Sequence, residues 1–335
     1  MGKILQLKRV RVETEETSEL CRGITDWLKT RPANTAKQYL RLARAWSLYL
    51  GAEFSDKAAQ PLWIAAKYGQ VTRWVNQVKQ GKAQRGRATE ASGDGLVSMG
   101  TIKHKVIVMK SIYDQLIAQG LIEHNPFARM TLELKRHATG DRRPYDRLPD
   151  NAVKALLSFR PKDREQVRDL AIMHLLFGAA LRRSEVVGVR ICDVLMTAEG
   201  TTYLRLTKTK SQKVQTVALP DWVARKVENL REQRLKEGAN EKDPLVVVYR
   251  KNGRLSSMSV ESLYRLFKRY CKQYHIDPRY SPHCARVTAI TKLLDQGCTH
   301  REVKELSRHG SVAMVERYDR KRVELDKSAS KKLRY

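Results

Sequence analysis

Residues 135–150, KRHATGDRRPYDRLPD, constrain the fold of this chain more than any other stretch. They are charged, interrupted by glycine and proline, and poor in apolar side chains, so a continuous hydrophobic core cannot run through them. The chain has 335 residues, more than one compact core usually holds. The segment therefore reads as a linker between two domains. The 41% hydrophobic content on either side of it suffices for real cores and argues against global disorder.

Residues 17–134 carry helical periodicity. TAKQYLRLARAWSLYL (35–50) places Tyr39, Leu40, Ala43, Trp46 and Tyr49 or Leu50 near one face, with Thr35 as the candidate N-cap. PLWIAAKYGQVTRWVNQVKQG (61–81) continues the pattern through Trp63, Ile64, Val71, Trp74 and Val78 and ends on Gly81. A polar loop over 82–95 precedes a long helix over 98–122, and EHNPF breaks the pattern at Pro126. Beyond the linker, NAVKALLSF and REQVRDLAIMHLLFGAA predict helices. The alternation in TYLRLTKTKSQKVQTVAL (202–219) predicts a β-hairpin, and DPLVVVYR a third short strand. Four more helical pieces follow: SVESLYRLFKRYCKQYHI, ARVTAITKLLDQG, HREVKELSRHG and AMVERYDRK. The expected fold class is mainly α with a small antiparallel β-sheet, in two domains.

Lys and Arg outnumber Asp and Glu by 65 to 36, a net charge of +29. Such an excess repels itself unless a polyanion neutralises it, which points to nucleic acid. No stretch is apolar for long enough to span a bilayer, so no membrane partner is expected. The N-terminus lacks the apolar core and cleavage site of a secretory signal, and MGKILQ fails the myristoylation pattern. Cys21, Cys192, Cys271, Cys284 and Cys298 are scattered without C-x-x-C spacing. They fit reduced thiols in a cytoplasmic protein rather than a disulfide framework or a zinc site. Neither a metal nor a cofactor is expected.

Four places in the second half carry candidate chemistry. In GAALRRSEVVGVRICDV, Arg182 and Arg183 follow an apolar helix and precede Glu185. The turn TKTKSQK offers Lys208 and Lys210 at the tip of the hairpin. His283 and Arg286 share a face at the start of a helix, where anions also bind. His309 is followed nine residues later by Tyr318, with Arg317 beside it. Each alone has a plainer explanation: a surface ion pair, a solvated turn, a structural histidine, a packing tyrosine. Together they supply the groups that transfer a phosphodiester to a phenol. Arginines neutralise the non-bridging oxygens with a fork that lysine lacks. A lysine or histidine protonates the leaving oxygen, and a tyrosine forms the covalent ester.

These motifs resemble the tyrosine recombinases, or phage-type integrases. ALRRSEVVGVRICDV is similar to their Arg-x-x-Glu signature, with Arg182 rather than Arg183 as the arginine, Glu185 as the acid and Asp193 as the downstream aspartate. HCAR matches their His-x-x-Arg box through His283 and Arg286, and the 23 residues from Arg286 to His309 fit the family. The resemblance assigns Tyr318 as nucleophile and puts the catalytic lysine in the hairpin, at Lys208 or alternatively Lys210. The residues before 17 are not expected to form the arm-binding domain of some phage integrases, which favours a Cre-like or Xer-like layout. That layout has an N-terminal extension (1–16), a helical core-binding domain (17–134), the linker (135–150), a catalytic domain (151–322) and a tail (323–335). The tail is either a helix that docks on a neighbouring protomer or a frayed basic end. One departure stands out: the family usually has Leu-Gly-His where this chain has Ser307-Arg308-His309, so Arg308 replaces a small residue.

The resemblance implies site-specific recombination through a 3′-phosphotyrosyl bond and a Holliday junction, without ATP. The expected partner is double-stranded DNA bearing an inverted-repeat site, bound by a tetramer assembled from free monomers. Type IB topoisomerases and telomere resolvases share the chemistry without strand exchange between two sites. A non-catalytic DNA-binding regulator would be expected to lack one or more of Arg182, Lys208, His283, Arg286, His309 and Tyr318.

Overall fold

The computed structural model describes residues 18–80, 97–136, 146–207 and 214–319. The N-terminal extension, the loop at 82–95, most of the linker, Lys208, Lys210 and the tail lie outside the described residues. The chain divides into two compact units, Met1–Arg142 and Arg143–Tyr335.

Among the described residues, six helices build the first unit: α1 (Glu19–Lys29), α2 (Ala33–Leu50), α3 (Ala59–Ile64), α4 (Tyr68–Lys79), α5 (Met99–Ala118) and α6 (Ala128–Arg136). Ser18 caps α1 by accepting from the Cys21 N–H at 3.2 Å, and Ser98 caps α5 through Thr101. Gly51, at φ 110°, ends α2 in the left-handed region that glycine enters without steric cost. The core is aromatic, with Trp46, Trp63, Trp74, Tyr113 and Phe127 buried together. Trp46 Nε1 donates to the Tyr113 hydroxyl at 2.9 Å, and that hydroxyl donates to the Trp63 carbonyl at 3.2 Å. The chain of bonds satisfies polar atoms that burial would otherwise penalise. Two expectations need correction. Helix α2 starts at Ala33 behind Pro32, so Thr35 lies inside it and is not its N-cap. The apolar pattern over 61–81 is split between α3 and α4. Lys67 turns extended there, and the Gln70 side chain accepts from its backbone N–H at 2.8 Å, starting a second helix.

In the second unit, helix α7 (Asp150–Ser158) leads to α8 (Arg164–Gly178) and the short α9 (Arg183–Val186). A 3-10 turn (Ile191–Asp193) enters strand β1 (Val194–Met196), which pairs antiparallel with β2 (Thr202–Leu206), and β2 pairs with β3 (Gln215–Ala218). Then come α10 (Asp221–Lys236), strands β4 (Val247–Tyr249) and β5 (Leu255–Ser257), and helices α11 (Val260–Gln273), α12 (Pro282–Asp295), α13 (His300–Ser307) and α14 (Val312–Val315). A second 3-10 turn, Glu316–Tyr318, follows at once. The class is mainly α with small antiparallel sheets, as expected. The hairpin expected over 202–219 forms from β2 and β3, but β1 extends it to three strands, and β4 pairs with β5 in a separate sheet.

Helix α8 is the axis of this unit. Every residue from Arg168 to Phe177 is buried, because α7, α10 and α12 all pack on it. Its C-terminal end meets α10 so closely that a Cβ on Gly178 would fall 2.2 Å from Val223. The buried Asp169 carboxylate accepts from Arg168, Arg269 and the Tyr270 hydroxyl, which ties α8 to α11. A smaller apolar cluster, Val287, Ile290, Leu294, Val303, Val315 and Tyr318, joins α12 to α13, α14 and the last turn.

Candidate active site

The site forms where α8 gives way to α9, at the first turn of α12, and in the loop between α13 and α14. Pro282 pre-sets the first turn of α12, and Arg286 one turn later is 1% exposed. Arg286 Nη1 donates to the Ala180 carbonyl and Nη2 to the Ser307 carbonyl, and Nη2 lies 3.4 Å from His309 Nε2. One side chain therefore ties together the entry to α9, the C-terminal end of α13 and the loop carrying His309.

Arg182 is the N-cap residue of α9. Its backbone N–H donates to Glu185 Oε2 at 2.8 Å, its Nη1 donates to Glu185 Oε1 at 2.6 Å, and its Nη2 reaches the Arg308 carbonyl at 3.2 Å. Glu185 is 2% exposed, so the Arg–Glu pairing is an interior one and not the surface pair its sequence spacing suggests. Burial opposes ionisation of Glu185, but the Arg308 and Arg182 guanidiniums and the Arg182 N–H outweigh it and hold the carboxyl below its usual range. Arg183 points elsewhere and stacks over the Tyr264 ring at 5.4 Å. Asp193, fully buried, accepts a two-pronged contact from Arg190 at 3.0 and 3.1 Å and fixes the turn after α9.

His309 is buried. Burial and the Arg286, Arg182 and Arg308 guanidiniums, with His283, push its pKa down to about 4, so the ring is neutral at pH 7. A guanidinium can only donate, which makes His309 Nε2 the acceptor. Nδ1 then carries the proton and donates to Ser307 Oγ at 2.9 Å. The His309 ring stacks on Tyr318, with centroids 5.5 Å apart and planes 20° apart. Tyr318 itself is 6% exposed, whereas Arg317 turns outward. The negative charge that the Tyr318 phenol can carry is close enough to raise the Arg286 pKa, one contribution to a value that burial and the neighbouring Arg182 and Arg308 lower to about 9. His283 is exposed at the rim. Its pKa is pushed down by the surrounding protein and by Arg286, Arg182 and Arg183.

The structure thus brings Arg182, Glu185, His283, Arg286, His309 and Tyr318 into one neighbourhood. The sequence-based set omits Arg308, Ser307 and the Ala180 carbonyl. In the sequence Arg308 stands out only as a departure from the family pattern, and no local signal announces its contacts. Chemically, three guanidiniums surround a single carboxylate beside two neutral imidazoles and a phenol. The remaining positive charge and the many N–H donors suit a phosphodiester.

The sequence matches the phage integrase family over residues 146–324. It is 30% identical to the tyrosine recombinase XerC of Chlorobaculum tepidum over 247 residues, 67% of this chain and 70% of that protein. The fold is similar to that of the Tn1549 transposon integrase (residues 82–397), solved in complex with circular intermediate DNA: the TM-score is 0.67 at 17% identity, covering 95% of this chain and 100% of that one. It is similar too to lambda integrase (residues 75–356), solved as a dimer bound to a COC′ core site, with a TM-score of 0.61 at 16% identity over 91% of this chain and 95% of that one. On these matches, the chain belongs to the phage integrase family, the tyrosine recombinases.

Proposed function

We propose that this chain cuts and rejoins DNA at specific sites through a covalent bond between Tyr318 and a 3′-phosphate. Its membership of the tyrosine recombinases makes it a site-specific DNA recombinase. The observation that carries the finer mechanism is the joint placement of Arg182 and Arg286 around Glu185 with Tyr318 stacked on a neutral His309. In the proposed step the Tyr318 hydroxyl oxygen attacks the scissile phosphorus. The O–P bond forms as the bond to the 5′-oxygen breaks, and a neutral imidazole of the pair accepts the phenolic proton. Lys208, with Lys210 as the alternative, protonates the departing 5′-oxygen. Arg182 and Arg286 stabilise the charge that builds on the non-bridging oxygens. The ester conserves the bond energy, so a partner strand's 5′-hydroxyl reverses the step without ATP. Exchange of one strand pair before the other passes through a Holliday junction on a DNA-bound tetramer.

Double-stranded DNA is the substrate in this reading, in line with the net charge of +29. The first unit contributes a second DNA-binding surface. Lys37, Arg41 and Arg44 lie exposed along α2 at spacings that share a helix face. The Lys105 ammonium is buried and is held below the usual lysine range, mainly by that burial and then by Arg41. Phosphates would relieve this like-charge crowding.

The test uses a duplex selected from a randomised pool by binding to the wild-type chain. The wild type is expected to form an SDS-resistant adduct, and peptide mapping is expected to place it on Tyr318. Tyr318→Phe is expected to bind the duplex with unchanged affinity and form no adduct. An undiminished adduct in Tyr318→Phe would overturn the assignment.

A further inference from the structure

Three non-glycine residues among those described have positive φ, and two of them, Ala180 (φ 47°) and Arg308 (φ 56°), are hydrogen-bonded to each other in this site. Arg308 occupies the left-handed position that ends α13, where a Cβ is costly and glycine or asparagine is the usual choice. It is also buried, and its Nε is without a hydrogen-bond partner among the described residues. A charged residue held at such a position at such cost is retained only when its surroundings over-determine it, and such residues cluster where strain serves function.

The contacts show what holds it. Arg308 Nη2 donates to Glu185 Oε2 at 2.8 Å and to the Ala180 carbonyl at 3.2 Å. Its own carbonyl accepts from Arg182 Nη2 at 3.2 Å. Glu185 is therefore shared. Oε2 serves Arg308 and the Arg182 backbone, which leaves only Oε1, at 2.6 Å, for the Arg182 guanidinium. Without Arg308, both carboxylate oxygens could close on the guanidinium of Arg182 in the two-pronged geometry that Arg–carboxylate pairs favour. The fork would then be spent on Glu185. The side chain of Arg308 is 2% exposed, with Nη1 directed at the Leu306 carbonyl and Nη2 at Glu185 and the Ala180 carbonyl.

We propose that Arg308 is a positioning residue for Arg182. It occupies the second oxygen of Glu185, pins the loop carrying His309 to the segment entering α9, and so keeps the Arg182 fork presented to the scissile phosphate. This rests on the recombinase reading above. It also assigns a task to a residue that stands where the family resemblance leads one to expect a small one.

The experiment measures single-turnover adduct formation on the selected duplex for the wild type, Arg308→Gly, Arg308→Asn and Arg308→Lys. Glycine and asparagine both tolerate the left-handed backbone, so these variants remove the guanidinium without adding strain. Arg308→Gly and Arg308→Asn are expected to slow adduct formation roughly 10–100-fold, the scale on which misplacement of a reacting group acts. Their affinity for the duplex and their cooperative unfolding should be preserved. Arg308→Lys, which still reaches Glu185 but lacks the fork, should recover part of the rate. The same series is then run with a neutral methylphosphonate at the mapped scissile linkage. That substrate leaves less charge for Arg182 to neutralise, so the defect of Arg308→Gly should shrink, whereas a general loosening of the fold would slow both substrates equally.

An unchanged rate in Arg308→Gly, an equal defect on both substrates, or loss of folding in both Arg308→Gly and Arg308→Asn would overturn the proposal. A wild-type chain that forms no adduct on Tyr318 would instead overturn the recombinase mechanism, which separates the two failures.

Discussion

Arg286 and Tyr318 belong to the same site, yet their supports differ. Arg286 lies on a helix whose neighbouring Cys284 and Ala285 are part of the large core around α8. Its guanidinium is bonded to carbonyls from two other segments. Arg182, half-buried, is paired with the fully buried Glu185 at the end of that core. Tyr318, by contrast, closes a three-residue 3-10 turn, and its ring is the last member of a six-residue cluster. The groups that would neutralise the phosphate thus stand at the edge of the main core, where α12 passes into the satellite through Val287 and Ile290, and the group that would attack it rests on that satellite alone. Local stability follows buried apolar contact, so the two sides should open independently. On the mechanism proposed above, that division suits a charge cradle fixed by the larger core and a nucleophile carried on a smaller cluster.

The sharpest way to break the comparison is Arg286→Ala against Tyr318→Phe. Removing a positioned donor to a developing anion costs about 3–4 kcal/mol, roughly 10²–10³ in rate. The same change leaves the Ser307 carbonyl without its charged donor and the Ala180 carbonyl with that of Arg308 alone, so unfolding of the second unit should come at lower denaturant. Tyr318→Phe should abolish the adduct and leave the unfolding midpoint nearly unchanged. If Arg286→Ala retains full stability, the cradle is not an anchor of the core.

Core truncations sharpen it next. Leu175→Ala, at a fully buried position on α8, should destabilise the whole second unit by about 2–5 kcal/mol. Val303→Ala, in the satellite cluster, removes less and should act locally. Hydrogen exchange is expected to quicken at the amides of 315–318 in Val303→Ala, with the amides of α8 unchanged. Equal quickening in both places would show one cooperative unit instead of two.

Acid should strain the shared part of the site. The folded His309 pKa of about 4 lies below the ordinary histidine value of 6.5, so the unfolded chain binds the proton more readily. Its contribution is present in full above about pH 6.5 and is lost as pH falls toward 4, up to about 3 kcal/mol by linkage. His283, also held low, adds in the same direction. Glu185, held below its ordinary 4.5, continues the loss at lower pH. Chemical denaturation from pH 7 to 4 should show this slope in the wild type and a shallower one in His309→Asn; identical slopes would remove His309 as its source.

The smallest effect belongs to Arg183→Ala. Arg183 stacks on Tyr264 and is not bonded to Glu185, so the adduct rate should fall far less than in Arg182→Ala. A larger loss at Arg183 would shift the assignment by one residue.

Much of this was legible in the sequence because it depended on local periodicity and fixed spacing. Apolar residues recurring every three or four positions marked α2, α5 and α8, and strict alternation marked the β2–β3 hairpin. The intervals Arg182–Glu185, His283–Arg286 and His309–Tyr318 carried the family resemblance. Helix α10 is absent from the sequence reading although Val223, Val227 and Leu230 recur at the spacing of one helix face; charged residues crowd between them and Pro220 provides no side-chain cap. Its burial comes from packing on α8, which is not a property of its own residues.

What the sequence determined by itself was chemical: which side chains are available, at which helix turns, and the charge they must share with a polyanion. What only the tertiary structure decided was which of them desolvate one another. The pairing of Arg308 with Glu185 spans 123 residues of chain, and no local signal encodes such a contact. The depressed pKa of His309 arises from burial and from guanidiniums contributed by α12, the N-cap of α9 and the end of α13. Coulombic and desolvation energies depend on distance and dielectric through space, and both exist only once the segments have packed.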